Sequence, residues 1–254
     1  IGQIIPEGNA NPVVAQVAKD TAICPGSVAL IGKSAFGGRK PYSYSWSPSL
    51  GLDNSSAEFP NASPPISTLY TVTVTDSTGC KSQAQVFVNL YEKQTISAGE
   101  DTAICLGSSV QIQAIGRGII RWFPPLGLSN PSIANPIATP TETTTYHLIV
   151  TDSNGCSSED SISIRVHPQP IVTLTSTDTA FCEGDSIVIS ASGISGTAPY
   201  SYRWSPNSGI SDINSPTPIF SPNVTTPYTV VVTDASGCWS TAKLTIHVNP
   251  LPIA

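Results

Sequence analysis

The sequence has no methionine, only three histidines and only 11 per cent charged residues among its 254 positions. Ordinary soluble chains carry roughly 25 per cent charge. Basic residues number 11 against 17 acidic ones, for a net charge of −6. Phosphate neutralisation needs clustered Lys and Arg, so no nucleic-acid partner is expected. No apolar run approaches the roughly 20 residues of a spanning helix, so no membrane span is expected. Without an initiator methionine, the chain reads as a piece of a longer polypeptide. It also lacks a Gly-x-Ser-x-Gly elbow, a His-Glu-x-x-His pair and a phosphate-cradling glycine loop. There is no Cys-x-x-Cys, and no histidine lies beside a cysteine, which argues against zinc. The chain is therefore expected not to be an enzyme, with no catalytic residue, no cofactor and no metal.

What the chain does hold is a repeat. Asp20-Thr21-Ala22-Ile23-Cys24 recurs as Asp101-Thr102-Ala103-Ile104-Cys105 and Asp178-Thr179-Ala180-Phe181-Cys182. Further on, Thr75-Asp76-Ser77-Thr78-Gly79-Cys80 recurs as Thr151-Asp152-Ser153-Asn154-Gly155-Cys156 and Thr233-Asp234-Ala235-Ser236-Gly237-Cys238. A Trp segment lies between them, around Trp46, Trp122 and Trp204. Three landmarks in constant order, three times over, define three units of about 80 residues. The expected division is a lead-in over 1–12, units over 13–91, 92–168 and 169–249, and the start of a further linker over 250–254. Linkers such as His167-Pro168-Gln169-Pro170 are short and Pro-containing, which favours an extended, semi-rigid join and a rod of successive units.

Within each unit the apolar period is two, as in Tyr70-Thr71-Val72-Thr73-Val74-Thr75 and Tyr228-Thr229-Val230-Val231-Val232-Thr233. Leading strands are expected over 27–34, 109–114 and 186–191. No helical period survives three turns without Pro or Gly. The predicted fold is all-β: three tandem antiparallel sandwiches of about seven short strands each. Trp46, Trp122 and Trp204 are the expected core anchors. The Asp-x-x-Gly-Cys tract predicts a tight hairpin, with Gly at positive φ and Asp capping the turn.

Each unit owns one Cys early and one late. The repeat therefore predicts one disulfide per unit: Cys24–Cys80, Cys105–Cys156 and Cys182–Cys238. These close loops of 56, 51 and 56 residues. Such bridges imply an oxidising, extracellular location.

The order Cys, Trp, Tyr, Cys resembles immunoglobulin domains, except that here both cysteines lie outside the facing strands. A bridge tying loops at one end of the sandwich is therefore expected. Leu126-Gly127-Leu128-Ser129-Asn130-Pro131, the Thr-rich tract before Tyr146 and the Asp-x-x-Gly-Cys hairpins resemble PKD-like and Ig-like repeats of giant Bacteroidota surface proteins. That resemblance implies gliding-associated adhesins or appendages exported by type nine secretion. It also marks Thr21, Thr102 and Thr179, each in an Asp-Thr-Ala triplet, as candidate O-glycosylation sites. The repeated aspartates, Asp20, Asp101 and Asp178 and then Asp76, Asp152 and Asp234, read either as turn caps or as oxygen ligands for calcium. Asp53 aligns with Asn130 and carries the same two readings. His147 stands where its sister units have Thr71 and Thr229, an outward strand position. His167 and His247 are read as equivalent strand ends. Trp239 has no sister Trp, its counterparts being Lys81 and Ser157, and is a candidate contact for a sugar or another subunit.

The leading expectation is a structural and adhesive segment of a bacterial surface fibre at the cell surface. The alternative is an accessory spacer or carbohydrate-binding array of a secreted polysaccharide-degrading enzyme. Partners are a cell-surface or glycan ligand, or further copies in a homo-oligomeric fibre, since low charge cheapens lateral association.

Overall fold

The computed structural model describes residues 11–251. Residues 1–10 of the expected lead-in and 252–254 of the expected terminal linker lie outside the described residues. Among the described residues there is no helix, and so none long and apolar enough to cross a membrane.

The first repeat contributes β1 (Val14–Val17), β2 (Thr21–Ile23), β3 (Ala29–Leu30), β4 (Gly32–Phe36), β5 (Ser43–Ser47), β6 (Asn61–Ala62), β7 (Thr68–Thr75) and β8 (Lys81–Leu90). The second contributes β9 (Thr102–Cys105), β10 (Val110–Gln111), β11 (Ile119–Phe123), β12 (Ile137–Ala138), β13 (Thr144–Thr151) and β14 (Ser157–His167). The third contributes β15 (Ile171–Leu174), β16 (Asp178–Cys182), β17 (Ile187–Val188), β18 (Ala191–Ile194), β19 (Ser201–Ser205), β20 (Ile219–Phe220), β21 (Thr226–Thr233) and β22 (Trp239–Asn249).

Each repeat forms the same four-stranded sheet: β2-β8-β7-β5, then β9-β14-β13-β11, then β16-β22-β21-β19. The short early strand of each sheet runs parallel to the last strand, as in Ile23 opposite Leu90, Cys105 opposite His167 and Cys182 opposite Asn249. In the first repeat β1 pairs with β4 and β3 with β6, so the chain crosses between sheets on passing from β1 to β2. This order is that of an immunoglobulin-like sandwich.

The leading strand expected over 27–34 is broken at Ile31. Its N–H donates to Pro60 O while its carbonyl accepts from Ala18 N–H, so the segment serves one partner and then the other. The later leading strands are shortened in the same way, to β10 and to β17 with β18.

By its internal contacts the chain forms two compact units. Among the described residues, one holds those up to Thr95 together with Gly116–Ile119 and Val150–Ser158, and the other holds the remainder. In the first, Ile31, Trp46, Tyr70, Val72, Val74 and Val86 build the core. In the second, Ile189, Trp204, Phe220, Tyr228, Val230 and Leu244 do so around the third repeat. The period of two explains this: on β7 and β21 alternate residues point inward, and those are Tyr and Val. Burying each such side chain is worth about 1.5–3 kcal/mol.

Two hydrogen bonds recur at fixed spacing. Trp46, Trp122 and Trp204 are all buried, and their indole N–H groups donate to the carbonyls of Ala57, Ile133 and Ser215 at 2.9, 3.0 and 3.0 Å. Tyr70, Tyr146 and Tyr228 donate their hydroxyls to the carbonyls of Leu50, Leu126 and Ser208 at 2.6, 2.9 and 2.6 Å. Each bond satisfies the polar tip of a side chain whose body fills the core.

Candidate functional site

The two cysteines of each repeat occupy opposite ends of its sheet. The early one ends the short parallel strand, level with the end of the last strand. The late one sits in the hairpin just before that same strand begins. A strand of ten residues such as β8 separates them by about 33 Å at roughly 3.3 Å per residue. A disulfide needs Cα atoms within about 7 Å. The bridges expected within each repeat are therefore excluded by the parallel pairing, and so is the expectation of a tie between loops at one end.

The structure instead links consecutive repeats. Cys24 pairs with Cys156 and Cys105 with Cys238, at Cα separations of 5.4 and 5.6 Å. Cys80 and Cys182 are free and exposed. Both bridges lie inside compact units as defined above, the first in one and the second in the other. Each is flanked by a side-chain hydrogen bond, the first within the second repeat and the second between the second repeat and the third. Ser158 donates to Gln94 O at 3.2 Å beside the first, and Ser236 lies 3.2 Å from His167 Nδ1 beside the second.

The hairpin that presents the late cysteine is built by its aspartate. Asp76 Oδ1 accepts from the N–H groups of Thr78 and Cys80 and from the Thr78 hydroxyl, at 2.9, 3.0 and 2.7 Å. Its other oxygen accepts from Arg39 N–H at 3.1 Å. Asp152 and Asp234 hold Cys156 and Cys238 identically, each accepting the cysteine N–H at 2.9 Å. Gly79, Gly155 and Gly237 take φ of 88°, 82° and 81°, a region that costs a side-chain-bearing residue and not glycine. Of the two readings of these aspartates, turn capping is the role observed. The earlier set does similar work on the last strand: Asp20, Asp101 and Asp178 accept from the N–H groups of Phe87, Ser163 and Thr245. Among the described residues no three His, Cys, Asp or Glu side chains converge as metal ligands would.

The Thr78 hydroxyl and then the Arg39 N–H hold the Asp76 carboxyl down to about 2, against the burial that opposes its charge. For Asp234 burial is the largest influence and opposes ionisation. The N–H groups of Thr197, Cys238 and Ser236, with His167 nearby, outweigh it and lower the carboxyl. A lowered folded-state value means stability that is complete above the unfolded value near 4 and is lost as pH falls through the folded one. Substituting Asp76→Asn is accordingly expected to destabilise the chain at pH 6 and to lose most of that effect by pH 2, read as urea midpoints at both pH values. An equal deficit at both would contradict the charged-cap role.

Asp53 accepts from the Asn61 backbone and side-chain N–H groups, which lowers its carboxyl, and its structural counterparts are Ser129 and Ser211. Asn130 corresponds to Asn54 instead, one residue on. His167 is matched by Asn249 and not by His247, because those two carbonyls receive the N–H groups of Leu106 and Glu183. His147 is exposed on its strand. Thr21, Thr102 and Thr179 each lie half-buried on the short parallel strand, beside the aspartate that anchors it. Trp239 opens β22 directly after the bridged Cys238 and is 59 % exposed.

The bridges between repeats depart from the expectation that each repeat closes on itself. A signal was present: separations within repeats vary from 51 to 56 residues. Those between repeats are 132 and 133.

No protein-family profile and no curated protein sequence matches the chain. Among solved structures it is similar to the N-terminal eight Ig domains of Down Syndrome Cell Adhesion Molecule, with a TM-score of 0.46 and 15% identity over 94% of this chain and 37% of that one. It is also similar to an I-band fragment of titin, at TM-score 0.39 and 14% identity over 94% of this chain and 96% of that one. For cadherin domains 1–4 of protocadherin gamma B7 the TM-score is 0.30, with 14% identity over 93% and 76%. The chain thus spans just over a third of the first of these proteins. Likenesses of this size carry no argument about activity or partners. The immunoglobulin-like sandwich rests on the strand order and crossing observed in this chain.

Proposed function

We propose that this chain is a non-catalytic structural and adhesive segment of a long extracellular fibre or appendage on a bacterial surface. Its working parts are three sandwiches over 13–91, 92–168 and 169–249. The observation that carries this reading is the pair of bridges between consecutive repeats, Cys24–Cys156 and Cys105–Cys238. A bridge inside a sandwich would stabilise that sandwich alone. A bridge from one to the next joins neighbours covalently at a second point, which suits a part that carries load. Disulfides of this kind persist outside the reducing cytosol, which supports an exported location.

The resemblance of the repeats to Bacteroidota surface proteins supports a bacterial cell-surface setting and O-glycosylation at Thr21, Thr102 and Thr179. A glycan-binding array on a secreted enzyme is the second reading, and the exposed Trp239 is the feature that favours it. Gold-labelled antibody to this segment, viewed by electron microscopy on the native cell surface, tests the first reading. Label spaced along fibres is expected. Label confined to a soluble fraction that degrades polysaccharide would overturn it. Intact mass of the same material reads glycosylation directly, as mass above that of the bare chain.

A further inference from the structure

We infer that Cys182 and Cys80 are the two halves of a third bridge of the same kind, and that they couple this chain head to tail to another sandwich repeat. The covalent partner of Cys182 is the cysteine of an Asp-x-x-Gly-Cys hairpin. The partner of Cys80 is a cysteine ending a short parallel strand. A second copy of this chain carries both.

The same local geometry occurs in bridged and unbridged form. The bridged Cys24 and Cys105 begin tight turns in which the N–H groups of Ser27 and Ser108 donate back to their carbonyls, each at 2.9 Å. At the unbridged Cys182 the Asp185 N–H does the same at 3.0 Å. The third residue of each turn is a glycine at positive φ: Gly26 at 82°, Gly107 at 83° and Gly184 at 93°. On the other side, Asp76 grips the Cys80 N–H at 3.0 Å, as Asp152 and Asp234 grip those of Cys156 and Cys238 at 2.9 Å. The backbone that presents a sulfur for bridging is thus already formed at both unbridged positions.

Burial separates the two states. In the bridged hairpins Cys156 and Cys238 are 8% and 0% exposed, whereas Cys80 in the same hairpin is open to solvent. Cys156 and Cys238 are each bonded to a cysteine of another repeat, and Cys80 is not. The two exposed sulfurs also differ in kind, one a strand-end cysteine and one a hairpin cysteine. Those are the two kinds that join in both observed bridges. Such a contact uses different surfaces on the two partners, and a single bond leaves a free Cys80 at one end and a free Cys182 at the other from which an open chain propagates.

The chemistry is thiol–disulfide exchange, with a small disulfide such as oxidised glutathione as the oxidant. Each coupling forms one S–S bond between Cys182 and Cys80. The two thiols lose two protons and two electrons, and glutathione disulfide is reduced to two glutathione thiols. This inference rests on the bridge pattern and does not depend on the fibre reading, so either can fail without the other.

The test uses the whole chain and two variants, Cys80→Ser and Cys182→Ser, oxidised in a glutathione buffer and separated without reductant. The unaltered chain is expected to form a ladder of covalent multimers, with free thiols falling from two per chain towards two per multimer. Each variant alone is expected to form no ladder. Mixed together they are expected to give a single covalent heterodimer, reversed by dithiothreitol. A chain that stays monomeric with both thiols free would overturn the inference. So would variants that form homodimers as readily as the mixture forms heterodimers. In protein from its native source, non-reducing peptide mapping tells the two sources of partner apart. Cys182 linked to the Cys80 peptide means a second copy. Cys182 linked to a hairpin peptide outside this sequence means a further repeat of the same polypeptide. Both thiols free there would again overturn it.

Discussion

Pulled by its two ends, the oxidised chain is expected to extend to only about a third of the length it reaches after reduction. With both bridges intact, the shortest covalent path from Asn11 to Leu251 leaves the backbone at Cys24 and crosses to Cys156. It then runs backwards to Cys105, crosses to Cys238 and continues. That path holds about 77 residues in place of about 240, or about 270 Å against about 840 Å at ~3.5 Å per extended residue. Adding a reductant during single-molecule stretching is therefore expected to release about 570 Å. Total length alone does not reveal which cysteines pair, because bridges closed within repeats would shorten the path equally. Single substitutions do. Cys80→Ser and Cys182→Ser are expected to leave the oxidised length unchanged, since neither sulfur lies on the path. Cys156→Ser is expected to lengthen it by about 100 Å. A gain of about 200 Å from Cys80→Ser would place a bridge inside the first repeat and contradict the structure.

The second large effect is expected from Trp204→Ala. Trp204 is 2% exposed, and its indole N–H is held by Ser215 O at 3.0 Å. Its ring meets Phe220 edge-on at 5.1 Å, and Phe220 meets Tyr228 in the same way at 4.9 Å. Truncating a buried Trp costs about 3–5 kcal/mol through lost burial and the cavity left behind. An edge-on aromatic pair adds about 0.5–1.5 kcal/mol beyond its area. Small sandwiches have little stability in reserve, so this change is expected to unfold the third repeat at a markedly lower urea concentration. Trp46 and Trp122 lack this aromatic run, because Ala62 and Ala138 stand where Phe220 stands. Their truncation is expected to cost less. A shift below about 1 kcal/mol at Trp204 would contradict its role as an anchor.

The sequence made some of this architecture readable because the information was local. Alternation on Tyr70-Thr71-Val72-Thr73-Val74 sets which residues face the core, and a Gly before each late Cys marks the positive-φ corner. The Asp of each hairpin could be read as a cap because its acceptor reaches N–H groups only two and four residues ahead. The geometry that decides the cysteine partners was not local, and only their even spacing hinted at it. They depend on the parallel pairing of β2 with β8 and of β9 with β14, across some sixty residues of intervening chain. Composition and period say nothing about whether a short edge strand runs parallel or antiparallel. Yet that choice alone moves Cys24 from beside Cys80 to the far end of the sheet. The break at Ile31 was hidden likewise, since it reflects a change of partner and not of residue type. Asp53 and Asn130 share side-chain chemistry, whereas the feature common to the three turns is the bond accepted from eight residues on.

The central claim is that disulfides join consecutive repeats, and tryptic mapping without reduction tests it most directly. Cleavage after Lys and Arg puts the six cysteines on six separate peptides, because Lys33, Lys81, Lys93, Arg117, Arg121, Arg165, Arg203 and Lys243 divide them. The structure predicts linked pairs carrying Cys24 with Cys156 and Cys105 with Cys238. A peptide pair joining Cys24 to Cys80, or Cys105 to Cys156, would contradict it.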